Sequence, residues 1–284
     1  MEEQKQAQAA VPAAPANPKR RFPTIGDLFA LLGITLAVQA VVGPLLLLAA
    51  GLTGAGKEEI LHDSRFLCLA YLVSMSLALI GALLYRRRRG GTGKIVSFST
   101  ARLHPLLLGW TCVLIFATGI VIEPLLNLLP DLTPDFGTGI WTIVMTLLFA
   151  PVFEELLCRG VVLGSMRQRY GVIAAWLGSA LFFGILHLNP VQVVNAFILG
   201  LILGYIYLVT DSIWAPILLH AFNNLTAYIL MTCCGKMLFI DLVGNRTLYG
   251  AIYIAALAVA AFSAYKIWEA MRRMKQAEKI GADA

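Results

Sequence analysis

Apolar runs of about twenty residues recur eight times along this chain, with its charges gathered between them. About twenty apolar residues is the length a helix needs to cross ~30 Å of hydrocarbon. Inside lipid a helix bonds its own backbone, whereas an open strand or loop cannot, so such runs admit little besides a helix bundle. They fall at about 28–50, 64–85, 105–129, 139–166, 172–188, 191–209, 212–231 and 248–268. The expected fold is all-α, a polytopic integral membrane protein with about eight transmembrane helices. Composition agrees, at 59% hydrophobic and 13% charged, with a mean hydropathy of +0.78. Soluble domains carry ~45–50% apolar and ~25% charged residues.

The net charge of +6 does not indicate nucleic acid. Its excess sits at helix ends and tails: Lys19 to Arg21, Arg86 to Arg89, Arg167 with Arg169, and Arg272 with Arg273. Basic loops mark the cytoplasmic side of a membrane and can also attract anionic headgroups. The intervening "GKEEILHD" and "PDLTPDFGT" are mostly acidic. Eight spans with both termini in the cytoplasm satisfy this alternation, which implies a multi-pass plasma membrane protein of the bacterial inner-membrane type. Residues 1–27, rich in Ala, Pro and Gln, read as a disordered cytoplasmic tail. Residues 28–137 then hold the first three spans, 138–231 a four-span core, and 232–284 the last span with a basic tail. The five cysteines show neither a disulfide framework nor a CxxC pair.

Most polar residues within the spans have structural readings. Thr35, Gln39, Ser74 and Ser76 suit bonds within or between helices, and Gly200 with Gly204 makes a close-packing step. His62, His104 and Glu123 lie near span ends. What remains is "FEELLCRG" with Glu154, Glu155 and Arg159, "FFGILHL" with His187, and "HAFNN" with His220 and Asn224. Each formal charge at a bilayer centre costs about 2.5–3.5 kcal/mol, so the first of these needs a reason. Glu155 and Arg159 are four apart on one helical face and can form a structural ion pair. Glu154 points ~100° away and lacks that partner, which leaves it free to carry a proton. Pro151, just before it, predicts a kink or break. At 1.5 Å per residue, Glu154, His187, His220 and Asn224 all fall ~12–22 Å from the cytoplasmic boundary. Residues from three spans agree in depth, as members of one site must.

A carboxylate beside an imidazole can take a proton from water, while a second imidazole and an amide can stabilise an oxyanion. Those are the needs of hydrolysis at a carbonyl. Glu154 with His187 would activate water, and His220 with Asn224 would hold the tetrahedral intermediate. Two histidines and a glutamate are also a zinc set, here Glu154, His187 and His220, although helical HExxH spacing is absent. The expectation is chemistry without a metal, with zinc the alternative. Two other classes compete. A proton-coupled transporter would also place Glu and His at the midplane, and a non-enzymatic membrane binding or immunity protein would only hold a partner.

EExxxR at Glu154, Glu155 and Arg159, FxxxH at Phe183 and His187, and HxxxN at His220 and Asn224 resemble, in order, the three motifs of the CPBP family. That family comprises type II CaaX prenyl proteases and bacterial relatives labelled Abi or bacteriocin-processing and immunity proteins. The resemblance spans about residues 138–231. It implies an eight-helix intramembrane endopeptidase acting on a membrane-embedded or lipidated peptide or protein. It also implies that Glu154 and His187 activate water, that His220 and Asn224 stabilise the oxyanion, and that the mechanism is of glutamate or zinc type.

Overall fold

A computed structural model of the chain describes residues 22–52, 54, 56–130, 132, 137–235 and 239–282. Among these residues every regular element is a helix, and seven helices are long and apolar enough to cross a membrane. The first three are α1 (Ile25–Gly51), α2 (Ser64–Arg88) and α3 (Pro105–Leu126). The fourth, Ile140–Ile185, runs for 46 residues. As a straight rod it would reach ~69 Å, more than twice the hydrocarbon thickness.

It does not run straight. Gly171 has φ 82° and ψ 175°, a left-sided conformation that a glycine adopts without strain and that ends helical bonding. Met166 lies against Gly178 across the break, so the chain doubles back there. Residues 140–170 are therefore α4 and residues 172–185 α5, two arms of a hairpin. Pro190–Thr210 (α6), Trp214–Cys234 (α7) and Arg246–Ala282 (α8) follow. The two arms and the six other long helices answer to the eight expected spans. Short helices, Lys57–His62 and Phe239–Val243, sit in the connections.

Residues 1–21 of the expected N-terminal tail lie outside the described residues. The helix itself begins at Ile25, before the expected start at 28. Thr24 accepts a hydrogen bond from the Asp27 backbone, and the Asp27 carboxylate accepts one from the Thr24 N–H, a reciprocal cap. Two of the loop arginines do more than mark a membrane face. Arg89 bonds Asp27 at 2.8 Å, and the buried Arg86 donates to the carbonyls of Thr92 and Gly93 and to Ser165.

Pro151 produces no sharp break. Bonding widens on both sides of it: Val144–Phe149 and Leu156–Leu163 are π-helical, with the α-helical turn Ala150–Glu155 between them. The Ala150 N–H reaches the Met145 carbonyl, and the Gly164 N–H reaches that of Arg159, each five residues back. Proline has no N–H and its ring crowds the preceding turn; a widened turn accommodates both without ending the helix. The two glutamates sit at the end of the α-helical turn, between the two wide ones.

The step at Gly200 and Gly204 brings α6 onto α5. A Cβ at Gly200 would stand 3.1 Å from the Ala180 backbone and 3.2 Å from the Phe183 ring, so only hydrogen fits without displacement. Order in these connections comes from Glu123, which accepts from the Tyr249 hydroxyl at 2.7 Å and the Phe239 N–H at 3.2 Å. That carboxylate is a tie between the ends of α3 and α8 rather than a free solvated charge.

Basic clusters at one end set the expected orientation, with Arg86–Arg89 inside. In a chain whose sole reporter is Arg88→Cys, a membrane-impermeant maleimide should label only inside-out vesicles. In a second chain whose sole reporter is Cys233, exposed at the opposite helix ends, labelling should occur only from outside. Labelling of residue 88 in intact cells would reverse the topology.

Candidate active site

The site is assembled from α2, α4, α5 and α7. Glu155 and Arg159 are both fully buried, with Arg159 Nε 3.0 Å from Glu155 Oε2. This is the ion pair that the i,i+4 spacing predicts. The guanidinium also donates to the Gly200 carbonyl at 3.2 Å and lies 4.9 Å over the Phe183 ring. Its charge is thus spread over a carboxylate, a backbone dipole and an aromatic face, which is how a buried cation becomes tolerable.

His220, 3% exposed, lies between the two glutamates. Its Nδ1 is 3.0 Å from Glu155 Oε1, and its Nε2 is 3.8 Å from Glu154 Oε2. A carboxylate paired with arginine only accepts, so Nδ1 carries a proton, and Nε2 is the ring nitrogen turned toward Glu154. Glu154 itself is 14% exposed, and its other oxygen accepts the Tyr71 hydroxyl at 2.7 Å.

His187 takes a backbone partner. Its Nδ1 donates to the Phe183 carbonyl at 3.0 Å, since a carbonyl can only accept, and its Nε2 is the free lone pair. The Phe183 ring meets His187 edge-on at 5.1 Å and His220 edge-on at 5.4 Å, so one buried phenyl packs against both imidazoles. Asn224 donates from Nδ2 to the Thr146 carbonyl at 2.8 Å, and its oxygen accepts from Asn223. One N–H of the Asn224 amide stays beyond these bonds.

All six residues singled out in the sequence therefore lie around Phe183 and the middle of α4, but with different pairings from those expected. The sequence reading joins Glu154 to His187 and His220 to Asn224. The structure sets His220 against both glutamates and gives His187 and Asn224 backbone partners. Helical spacing reports which residues of one helix share a face; it does not report how a second helix is rotated against them. Tyr71 was missed altogether, because a tyrosine in an apolar run carries no spacing signal.

Among the described residues no three His, Cys, Asp or Glu side chains converge as metal ligands. Glu154 and His220 face each other, while His187 Nδ1 is taken by the Phe183 carbonyl.

Comparison with known proteins follows the same residues. Residues 136–226 match the family model for type II CAAX prenyl endopeptidases, Rce1-like. A Bacillus subtilis (strain 168) protein described as "Putative membrane peptidase YdiL" is 27% identical over 82 residues, 29% of this chain. That alignment covers 34%, about a third, of the relative's length. No solved structure matches. The matched segment holds Glu154, Glu155, Arg159, Phe183, His187, His220 and Asn224, so the likeness to the Rce1-like type II CAAX prenyl endopeptidases covers the whole candidate site apart from Tyr71.

Proposed function

We propose that the chain is an intramembrane endopeptidase that hydrolyses a peptide bond of a membrane-associated protein or peptide, of the CaaX-type class in the family's sense. The observation that carries this reading is the facing pair, Glu154 Oε2 and His220 Nε2, 3.8 Å apart in an apolar bundle. That separation exceeds a direct hydrogen bond and suits one bridging water. Both atoms accept, so the water gives one proton to each and turns its lone pair outward.

The chemistry then follows without a metal step. The water oxygen attacks the carbonyl carbon, its proton passes to Glu154, and a C–O bond forms as the carbonyl becomes an oxyanion. The remaining N–H of Asn224 is the donor proposed for that oxyanion. Glu154 returns its proton to the amine nitrogen as the C–N bond breaks, which leaves a carboxylic acid, an amine and the enzyme as it began. Glu155, held by Arg159, keeps the His220 ring in the tautomer this requires. His220 thus takes the water-orienting place read from the sequence for His187, since its nitrogen is the one that faces the carboxylate. His187 is proposed to line the substrate side of Phe183.

The test is cleavage. Purified protein in detergent or nanodiscs, given a panel of prenylated and membrane-spanning peptides, should cut at least one at an internal bond. Cleavage should survive exhaustive chelation. Stoichiometric zinc, lost with activity and restored with it, would replace this mechanism by a metalloprotease one. Proton-linked flux in liposomes without cleavage would replace the enzyme by a transporter.

A further inference from the structure

Tyr71 lies in α2, outside the matched residues 136–226, yet its hydroxyl is the group bonded to Glu154 Oε1, at 2.7 Å. The inference drawn from this contact rests on the proposed role of Glu154. A glutamate side chain ends in a loosely hindered carboxylate torsion, so one fixed oxygen is needed to aim the other. In α4 itself nothing does this: Arg159 is bound to Glu155, and the Glu155 oxygens face Arg159 and His220. The phenol of α2, a helix that packs along α4, takes Oε1 of the carboxylate, the oxygen other than the one 3.8 Å from His220. Its bond is of the charge-assisted kind, short and directional, and in an apolar surrounding it is stronger than in water.

We propose that Tyr71 is a positioning residue: by holding Oε1 it presents Oε2 of Glu154 to the water and to His220. On this account the first group of helices, which carries none of the three motifs, completes the active site. A phenol present only for packing would serve equally well without its oxygen. A phenol that aims a carboxylate would not.

The experiment separates donor from shape. Tyr71→Phe removes the O–H and keeps the ring. Replacement of Tyr71 by 4-fluorophenylalanine fills the hydroxyl's space without a donor, and replacement by 3-fluorotyrosine keeps the donor. Each is measured beside Glu154→Gln on a peptide the wild type cleaves. Both donorless chains should lose about 10–100-fold in kcat with KM unchanged, the size expected when a reacting group is misplaced by about an ångström or loses its outer partner. The 3-fluorotyrosine chain should turn over like the wild type. If Tyr71→Phe does not fold, the two fluorinated chains decide, because one puts fluorine in the hydroxyl's place and the other adds only a fluorine for a ring hydrogen. Wild-type kcat in a folded donorless chain, with Glu154→Gln inactive, would overturn the positioning role alone. Equal losses in both fluorinated chains would overturn it too. An active Glu154→Gln would remove the reading beneath it.

Discussion

Glu154→Gln should abolish peptide cleavage while the protein still folds, with the melting temperature in detergent within a few degrees of wild type. Glutamine keeps the length and planar end of the side chain, and its amide oxygen can still accept the Tyr71 hydroxyl. What it loses is the oxygen proposed to take a proton from water and later return it to the leaving amine. Removal of a general base costs ~10²–10⁴ in rate, and this carboxylate acts twice in each cycle, so the upper end is expected. Thermal unfolding and cleavage are measured on the same preparation. If Glu154→Gln cleaves normally while Glu155→Gln folds and does not, the two glutamates have exchanged roles.

The second large effect falls on stability. Glu155→Ala and Arg159→Ala should each lower the folded yield sharply, with a loss of about 3–5 kcal/mol. Neither residue has any exposure, so removal of one leaves the other as an unpaired buried charge. Arg159→Ala also unbonds the Gly200 carbonyl and uncovers Phe183, while Glu155→Ala releases the Nδ1 proton of His220. The paired change Glu155→Ala with Arg159→Ala should therefore cost less than the sum of the two. A double-mutant cycle on chemical or thermal unfolding reads that coupling directly. Additive losses would mean that the two side chains do not sense each other.

These two expectations divide along the line between what was legible in the sequence and what was not. Glu155 and Arg159 are neighbours on one helix, and the four-residue interval alone brings them together. Likewise Phe183 and His187 are one turn apart at the end of α5, and the apolar runs locate the helices to within a few residues, except that α8 runs on to Ala282. Partners on different helices are another matter. Tyr71 and Glu154 are 83 positions apart and His220 and Glu155 are 65 apart, and nothing periodic relates one to the other. Agreement in depth groups such residues, but rotation about each helix axis decides which of them touch. The wide turns in α4 change that rotation locally, and only Pro151 hinted at them.

Those wide turns decide where α4 can change its length without moving the site. A turn closed by i→i+5 bonds holds one residue more than an α-turn between the same two heights. Removing a single residue from Val144–Phe149 lets the helix heal into regular bonding with little change in length or in the direction of the side chains on either side. Removing one from a regular α-helix has no such reserve and rotates everything beyond it by about 100°. A chain one residue shorter in the first wide turn should therefore keep Glu154 facing His220. In α4 the surplus residue is slack in the winding, which lets the count change while the carboxylate still meets its imidazole.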